Sequence, residues 1–197
     1  MPGDRGGHAD ATGTVIVWAL ERLGRVMRAE EHGGDLNPAQ WETLRYLSRA
    51  NRISNSPGAL TRYLGATKGT ISQTVKSLER KGYVAKSLRE GEKRSVVLKL
   101  TRQGEAALVQ DPWGAVSGVA GELGNRTRRR LAKGLREILS HQLKHGNHRS
   151  FGQCRSCRFF REKGREDDPL GPHLCMLLDE ALTETESQGI CVEHEMA

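Results

Sequence analysis

The segment from Ala66 to Leu100 constrains the fold more than any other stretch of this chain. In Ala66-Thr-Lys-Gly-Thr-Ile-Ser-Gln-Thr-Val-Lys-Ser-Leu-Glu-Arg-Lys-Gly82, the residues Ile71, Thr74, Val75 and Leu78 recur at helical spacing and share one face. Gly69, Ser72, Gln73 and Lys76 share the opposite face. Small and hydrogen-bonding side chains there can approach base edges, and a lysine can meet phosphate. Gly82 is a natural stop, because glycine accepts the left-handed conformation that ends many helices. The period then changes to alternation, in Tyr83–Leu88 and again in Val96–Leu100, around the charged run Arg89-Glu-Gly-Glu-Lys-Arg94. That predicts a β-hairpin with a charged tip centred on Gly91.

The flanking segments read as helices. Residues 1–12 are glycine-rich and polar, and are expected to be disordered. From Thr14 an apolar face recurs at Val15, Trp18, Ala19, Leu23 and Val26, and His32-Gly-Gly-Asp35 ends it. Asn37-Pro38 is a cap followed by a first-turn proline, ahead of Trp41, Leu44, Tyr46 and Leu47. Ser56-Pro57 repeats that signal before Leu60 and Leu64. Beyond the hairpin, Thr101 can cap a helix carrying Glu105 and Leu108, which Pro112 should break. A last helix runs from about Asn125 to Leu143, with Leu131, Leu135, Ile138 and Leu139 on its apolar side.

Two short helices, a helix with a polar outer face and a basic-tipped hairpin make a winged helix-turn-helix. The class is mainly α with a small β-hairpin wing. Over residues 13–143 the chain resembles the MarR family of transcriptional regulators. The resemblance rests on Leu36-Asn-Pro-Ala-Gln-Trp-Glu-Thr-Leu-Arg-Tyr-Leu47, on Thr70-Ile-Ser-Gln-Thr-Val-Lys-Ser-Leu-Glu-Arg-Lys-Gly-Tyr-Val84, and on Glu92-Lys-Arg-Ser-Val-Val-Leu-Lys-Leu-Thr-Arg-Gln-Gly104. It implies double-stranded DNA as partner, contacted by Thr67, Lys68, Thr70, Ser72, Gln73 and Lys76 from the helix and by Arg89, Lys93 and Arg94 from the wing. The family's wing usually reads Asp-Arg-Arg. Here Glu92-Lys93-Arg94 makes Arg94 the residue for the minor groove, while Lys93 lacks the planar fork of arginine. The resemblance also implies a homodimer, with the helices at 14–31 and 102–143 as its dimerisation region. Two recognition helices about one DNA turn (~34 Å) apart would then favour a palindromic site. Members most often repress, and a small-molecule or redox effector shifts them between DNA-competent and incompetent spacings.

The charge is uneven. The chain has 31 Lys and Arg against 24 Asp and Glu, a net of +7. Residues 1–150 hold 26 of those bases against 14 acids, and residues 151–197 hold five against ten. Nine of the acids lie from Glu166 onward, where there is no Lys or Arg. This predicts that the basic part faces DNA and that the acidic end stays off it, free for other contacts. The basic run Arg126, Arg128, Arg129, Arg130 reads as a solvated helix face or as a set of phosphate contacts. All four cysteines and all three phenylalanines lie beyond residue 150. Four regions follow: a disordered 1–12, a winged-helix and dimerisation domain at 13–145, a linker at 146–150, and a cysteine-bearing module at 151–197.

A module of about 45 residues usually needs a staple, and a reducing compartment makes a metal a better staple than a disulfide. Cys154-x-x-Cys157 is a common chelating knuckle, and Cys191-x-x-His194 is a candidate second one. Cys175 stands alone, with 17 residues between it and Cys157 and 15 between it and Cys191. The ligand set is then Cys154, Cys157, Cys175 and Cys191, or three of these with His194. Zinc suits either set, and an iron–sulfur cluster suits the all-thiolate one. His173, between Pro172 and Leu174, reads as a residue of a packed turn. Unligated packed cysteines, or a redox-active pair activated by Arg155 and Arg158, are the other readings. His141 and His145 share a helical face and read as solvated residues at a helix C-terminus, or as a metal pair. A module joined to the last helix would signal by changing helix 125–143.

No run approaches the ~18 apolar residues of a membrane span, and the N-terminus has no secretory pattern, so no membrane partner and a cytoplasmic location are expected. No Ser/His/Asp order and no glycine-rich phosphate loop is present, so no enzyme is expected. A thiol enzyme using a tail cysteine with His194 as base is the alternative, as is an architectural protein that recruits partners through a structural zinc module.

Overall fold

A computed structural model describes residues 11–89, 95–146 and 150–197. The chain divides into two compact units, Met1–Pro38 and Ala39–Ala197. In the first, α1 (Ala11–Glu30) is a 20-residue helix. Ala11 and Thr12, expected in a disordered N-terminus, are its first residues, and residues 1–10 lie outside the described ones. Val15, Trp18 and Leu23, read from the sequence as one apolar face, are exposed.

The second unit builds its winged helix from α2 (Pro38–Arg49), α3 (Pro57–Leu64), α4 (Lys68–Arg80), β1 (Val84–Leu88) and β2 (Val96–Leu100). Pro38 opens α2, whose Trp41, Leu44, Tyr46 and Leu47 are all buried. Ser56 caps α3 by accepting the Ala59 N–H at 3.2 Å, with Pro57 in the first turn. Thr67 caps α4 through the Thr70 N–H at 3.1 Å. The far end of α4 closes with Tyr83 N donating to Leu78 O (2.9 Å) and Gly82 N donating to Glu79 O (3.0 Å), around Gly82 at φ +79°. Those paired bonds satisfy carbonyls that the helix leaves open and turn the chain into the wing. The strands run antiparallel from Val84↔Leu100 to Leu88↔Val96. Leu44, Leu60, Leu78 and Leu98 are completely or almost completely buried, each contributing about 2 kcal/mol of transfer free energy.

Thr101 caps α5 (Arg102–Leu108) through the Gly104 N–H at 3.1 Å. It stops at Leu108, before Pro112, which instead sits at the N-cap of α6 (Trp113–Glu122); α7 (Asn125–His145) follows. Arg45 ties α2 to this region through Asp111 at 2.9 Å. No residue of α7 is buried, and Leu131, Leu135, Ile138 and Leu139 stand exposed along it. Arg128 reaches back to Gly121 O at 2.8 Å. His141 and His145 stack, with ring centroids 4.2 Å apart.

The tail has more regular structure than its sequence signals. β3 (Gly152–Gln153) pairs antiparallel with β7 (Ile190–Cys191). β4 (Phe160–Arg161), β5 (His173–Cys175) and β6 (Glu180–Leu182) form a second, antiparallel sheet in that order. A 3-10 turn at Cys154–Ser156 and α8 (Glu184–Gln188) complete it. Thr183 and Glu186 form a capping box at the start of α8. Among the described residues, no helix is long and apolar enough to cross a membrane.

Candidate nucleic-acid interface and cysteine cluster

The geometry of α4 separates two kinds of residue. Ile71, Val75 and Leu78 are buried, and Thr67, Lys68, Gly69, Thr70, Ser72, Gln73 and Lys76 are exposed. The capped N-terminus fixes how the outward face is presented. Thr67 and Thr70 also bond to each other through their hydroxyls at 2.9 Å. These two candidate contacts therefore have a helix-starting role that the sequence reading did not assign to either. No acid sits in the first turn of α4. The positive end of the helix dipole is left uncompensated there, which favours an anion such as phosphate.

In the wing, Arg89 N donates to Ser95 O at 2.7 Å and closes the base of the tip. Its guanidinium turns toward the protein and donates to Arg52 O at 3.0 Å. Arg89 is thus a brace as well as a candidate DNA contact. Lys93 and Arg94 lie outside the described residues.

The cysteines gather against the segment joining α2 to α3. Cys154 and Cys191, each 4 % exposed, form a buried cluster with Leu182, and Ile53, Phe160 and Cys175 pack against it. Cys154 and Cys191 share a hydrogen bond. Cys191 is held below the usual thiol range, first by that bond and then by the Glu193 N–H, Asn51 and Ser54, against the opposing effect of burial. Cys154 is pushed up, by the same shared bond and by burial. Asn51 Nδ2 donates to Cys154 Sγ at 3.3 Å. Cys157, half-buried, donates its N–H to Cys154 O at 2.8 Å, and its Sγ accepts the Glu195 N–H at 3.5 Å. All four cysteines are free thiols. Among the described residues, no group of three or more His, Cys, Asp or Glu side chains is arranged to hold a metal ion.

The two tail histidines differ. His173 is 3 % exposed and both its nitrogens are taken: Nδ1 accepts the Lys163 N–H at 3.1 Å, and Nε2 faces Glu184 at 2.9 Å. It is a packed structural residue, as its neighbours imply, within β5. His194 is 6 % exposed, and burial lowers its pKa from the usual imidazole range. Ser156 Oγ donates to Gln153 O at 2.9 Å, so at 3.0 Å it accepts the proton on His194 Nε2. His194 Nδ1 is then a buried lone pair, with no hydrogen-bond partner. Such an orphan is costly unless something binds it.

A sequence model of the MarR family matches residues 34–95. This segment is a MarR-family domain. It contains α2, α3, α4 and β1, hence the whole outward face of α4. Among solved structures, the chain is similar to a MarR transcriptional regulator from Methanosarcina mazei Go1, at 25% identity and a TM-score of 0.52, over 68% of this chain and 96% of that one. It shares a fold with Streptococcus pneumoniae FabT, solved in complex with DNA, at 21% identity and a TM-score of 0.54, over 66% of this chain and 96% of that one. A mutant MepR from Staphylococcus aureus has the same fold at 18% identity and a TM-score of 0.51, over 65% of this chain and 96% of that one. Curated protein sequences give no match.

The MarR-family domain contributes to the cysteine cluster through residues that the sequence did not single out. Asn51 N donates to Ile190 O at 3.1 Å, and Ser54 Oγ accepts the Val192 N–H at 2.8 Å. Arg52 pairs with Glu180 at 2.5 Å and Glu186 at 3.0 Å, and also donates to Ala181 O. Arg62 faces Glu193 at 3.8 Å. Phe151 stands edge-on to Tyr63, with centroids 5.0 Å apart. The expectation that the acidic end is free for other contacts is therefore corrected. Its acids pair with arginines of the MarR-family domain, and others pair within the tail, as Arg165 does with Asp168 and Asp179. No spacing rule announces Asn51 or Ser54, because each meets its partner across more than 100 residues of chain.

Proposed function

We propose that this protein is a sequence-specific DNA-binding transcriptional regulator that works as a homodimer, most often as a repressor. The observation that carries this reading is the two-sided α4: an apolar face in the core and an exposed face of Ser72, Gln73 and Lys76, within a MarR-family domain. In this reading α4 enters the major groove, its N-terminal turn and Lys68 meet phosphate, and the wing reaches the adjacent minor groove. Selection of bound duplexes from a random or genomic pool tests it, with recovery of one palindromic motif as the expected result. Lys76→Ala should then weaken binding to all duplexes alike and reduce the slope of log K against log salt by about one per protomer. Recovery of no motif would sink the reading.

The exposed leucine and isoleucine stripe of α7 is the proposed dimer surface, covered by a second copy. Leu135→Glu is expected to convert a dimer into a monomer in sedimentation velocity. A variant that stays dimeric would place the interface elsewhere.

The tail is proposed to bind a thiophilic metal, either zinc or an iron–sulfur cluster. The support is chemical. N–H groups of Asn51 and Glu195 already point at Cys154 and Cys157, Cys175 packs beside Cys154 and Cys191, and the lone pair of His194 Nδ1 is buried and unpaired. Donors of this kind stabilise thiolates. Cys154, Cys175 and Cys191 with Cys157 or His194 would supply the ligands. Metal analysis and an absorption spectrum after anaerobic purification distinguish the cases: visible absorption for a cluster, a colourless stoichiometric ion for zinc. A metal-free, fully folded chain would overturn the proposal. The recruitment reading, with a structural zinc module, is less favoured because the tail's acids are engaged with arginines.

A further inference from the structure

We infer that Asp111 is a positioning residue for DNA binding: with Arg45 it fixes the angle at which the α6–α7 arm leaves the reading head, and so sets the half-site spacing that the homodimer accepts. This rests on the proposed DNA-binding homodimer and adds the joint that gives it one spacing.

The head side of the joint is rigid. Thr101, at the start of α5, is welded to the end of α4: its Oγ1 donates to Gly82 O at 2.6 Å, and its N donates to Tyr83 O at 3.1 Å. Gly104 lies so close to Tyr83 that a Cβ there would stand 2.2 Å from Tyr83 O. Any turn of α4 is therefore carried into α5. The arm is a unit of its own. α6 and α7 have no buried residues, and Arg128 of α7 donates to Gly121 O of α6 at 2.8 Å. The exposed leucine and isoleucine stripe of α7 is the proposed dimer surface.

Between head and arm the helix is interrupted. Val109, Gln110 and Asp111 each donate their N–H to a carbonyl three residues back, as Gly114 and Ala115 do on the far side. Such tight turns hold less firmly than α-helical ones and often mark hinges. Pro112 contributes no N–H at all. Asp111 is where the pieces meet. Its N–H bonds back to Leu108 O at 3.2 Å, its carbonyl accepts the Gly114 N–H at 2.8 Å, and its Oδ1 accepts the Trp113 N–H at 3.1 Å. The same Oδ1 accepts Arg45 Nη1 of α2 at 2.9 Å. One carboxylate oxygen thus ties the start of the arm to a core helix of the head. The two side chains are 14% and 12% exposed, so water and salt screen the pair little.

The lever is short but sufficient. α6 has 10 residues, about 15 Å of helix. A turn of about 13° at the joint moves its far end by ~3.4 Å, the rise of one base pair. With the pin in place the joint has one setting and the dimer one spacing. Without it the heads swing, and ordering them becomes part of the cost of binding a duplex.

The experiment uses the full chain, a palindromic duplex recovered by selection, the same duplex lengthened or shortened by one base pair at its centre, and a duplex carrying a single half-site. Wild type should bind the selected spacing at least about tenfold tighter than either altered one. Arg45→Met removes the pin and leaves Asp111 as acceptor for Trp113 N. Its affinity for the selected duplex should fall about tenfold, and the three spacings should then agree within about threefold. Its affinity for the single half-site should stay within about twofold of wild type, which a general loss of folding would not allow. Asp111→Asn keeps the shape and an acceptor but loses the charge that holds Arg45, and should shift both readouts in the same direction. A variant that binds the half-site like wild type and keeps the wild-type spacing preference overturns the inference. If Arg45→Met weakens half-site binding, Asp111→Asn decides alone. Half-site loss in both variants overturns the inference and makes the pair a folding element. If wild type sediments as a dimer yet shows no spacing preference, the inference falls and the dimer stands. If wild type sediments as a monomer, or selection recovers no motif, the proposed function falls and takes the inference with it.

Discussion

Gln73→Ala is expected to cost about 1–3 kcal/mol per half-site, and hence about 2–6 kcal/mol for a dimer on its palindrome. Gln73 lies near the middle of the exposed face of α4, one position before Thr74 and two before the buried Val75. Its amide offers a donor and an acceptor together, the combination that pairs with the edge of adenine in the major groove. Removal of the amide should therefore discriminate between duplexes. Affinity for the selected motif should fall by about one and a half to four orders of magnitude, while affinity for a scrambled duplex at the same salt stays put. The contrast with Lys76→Ala is the diagnostic, since a phosphate contact is lost equally from both duplexes. Titrations of the two variants against both duplexes give the answer. Equal loss on motif and scramble for Gln73→Ala would remove it from base reading.

Gly171→Ala is expected to detach the tail. Gly171 has φ +140°, a conformation that L side chains rarely adopt. A Cβ there would lie 2.4 Å from both C and O of Leu182 and 2.5 Å from Thr183 N. These are backbone atoms, and neither side can yield cheaply. Leu182 is completely buried in the cysteine cluster, and Thr183 N is held by Glu186 at 2.9 Å as half of the capping box. Strain of this kind and the steric clash together should exceed about 3 kcal/mol, a large fraction of what so small a module can hold. Limited proteolysis should then trim the chain from the C-terminal side of α7 while the MarR-family domain survives. Unchanged resistance of residues 151–197 would show that the loop relaxes around the new methyl group.

The winged helix was legible because its signals are local. Ser56 and Thr101 each cap a helix by accepting an N–H three residues on, and Gly82 takes positive φ at the end of α4. The burial of Ile71, Val75 and Leu78 follows from their spacing alone. The tail was legible only in its chemistry. Its strands are two or three residues long, too short for alternation to register. His173 was placed correctly as a packed residue because Pro172 and Leu174 flank it, but its partners Lys163 and Glu184 come from separate elements. The acidic run from Glu166 was read as one block, and pairing with Arg52 and Arg62 divides it. Net charge counts residues without regard to who faces whom. Asn51 and Ser54 look like ordinary loop polars, and only the fold makes them buried partners of the cysteine segments.

The bridge between Ala50 and Ile190, with Asn51 N donating to Ile190 O, adds a peptide-group seam to the side-chain contacts that join the tail to the winged helix. Such a seam is blind to the identity of the residues at 50 and 190. Apolar substitutions at either position should leave the attachment in place, so a drifting sequence can rewrite both ends of the seam without parting them. A tail of this kind is portable. Its transfer onto another winged helix would need an open peptide N–H and C=O after the second helix, with the partners that Asn51, Arg52, Ser54, Arg62 and Tyr63 supply here.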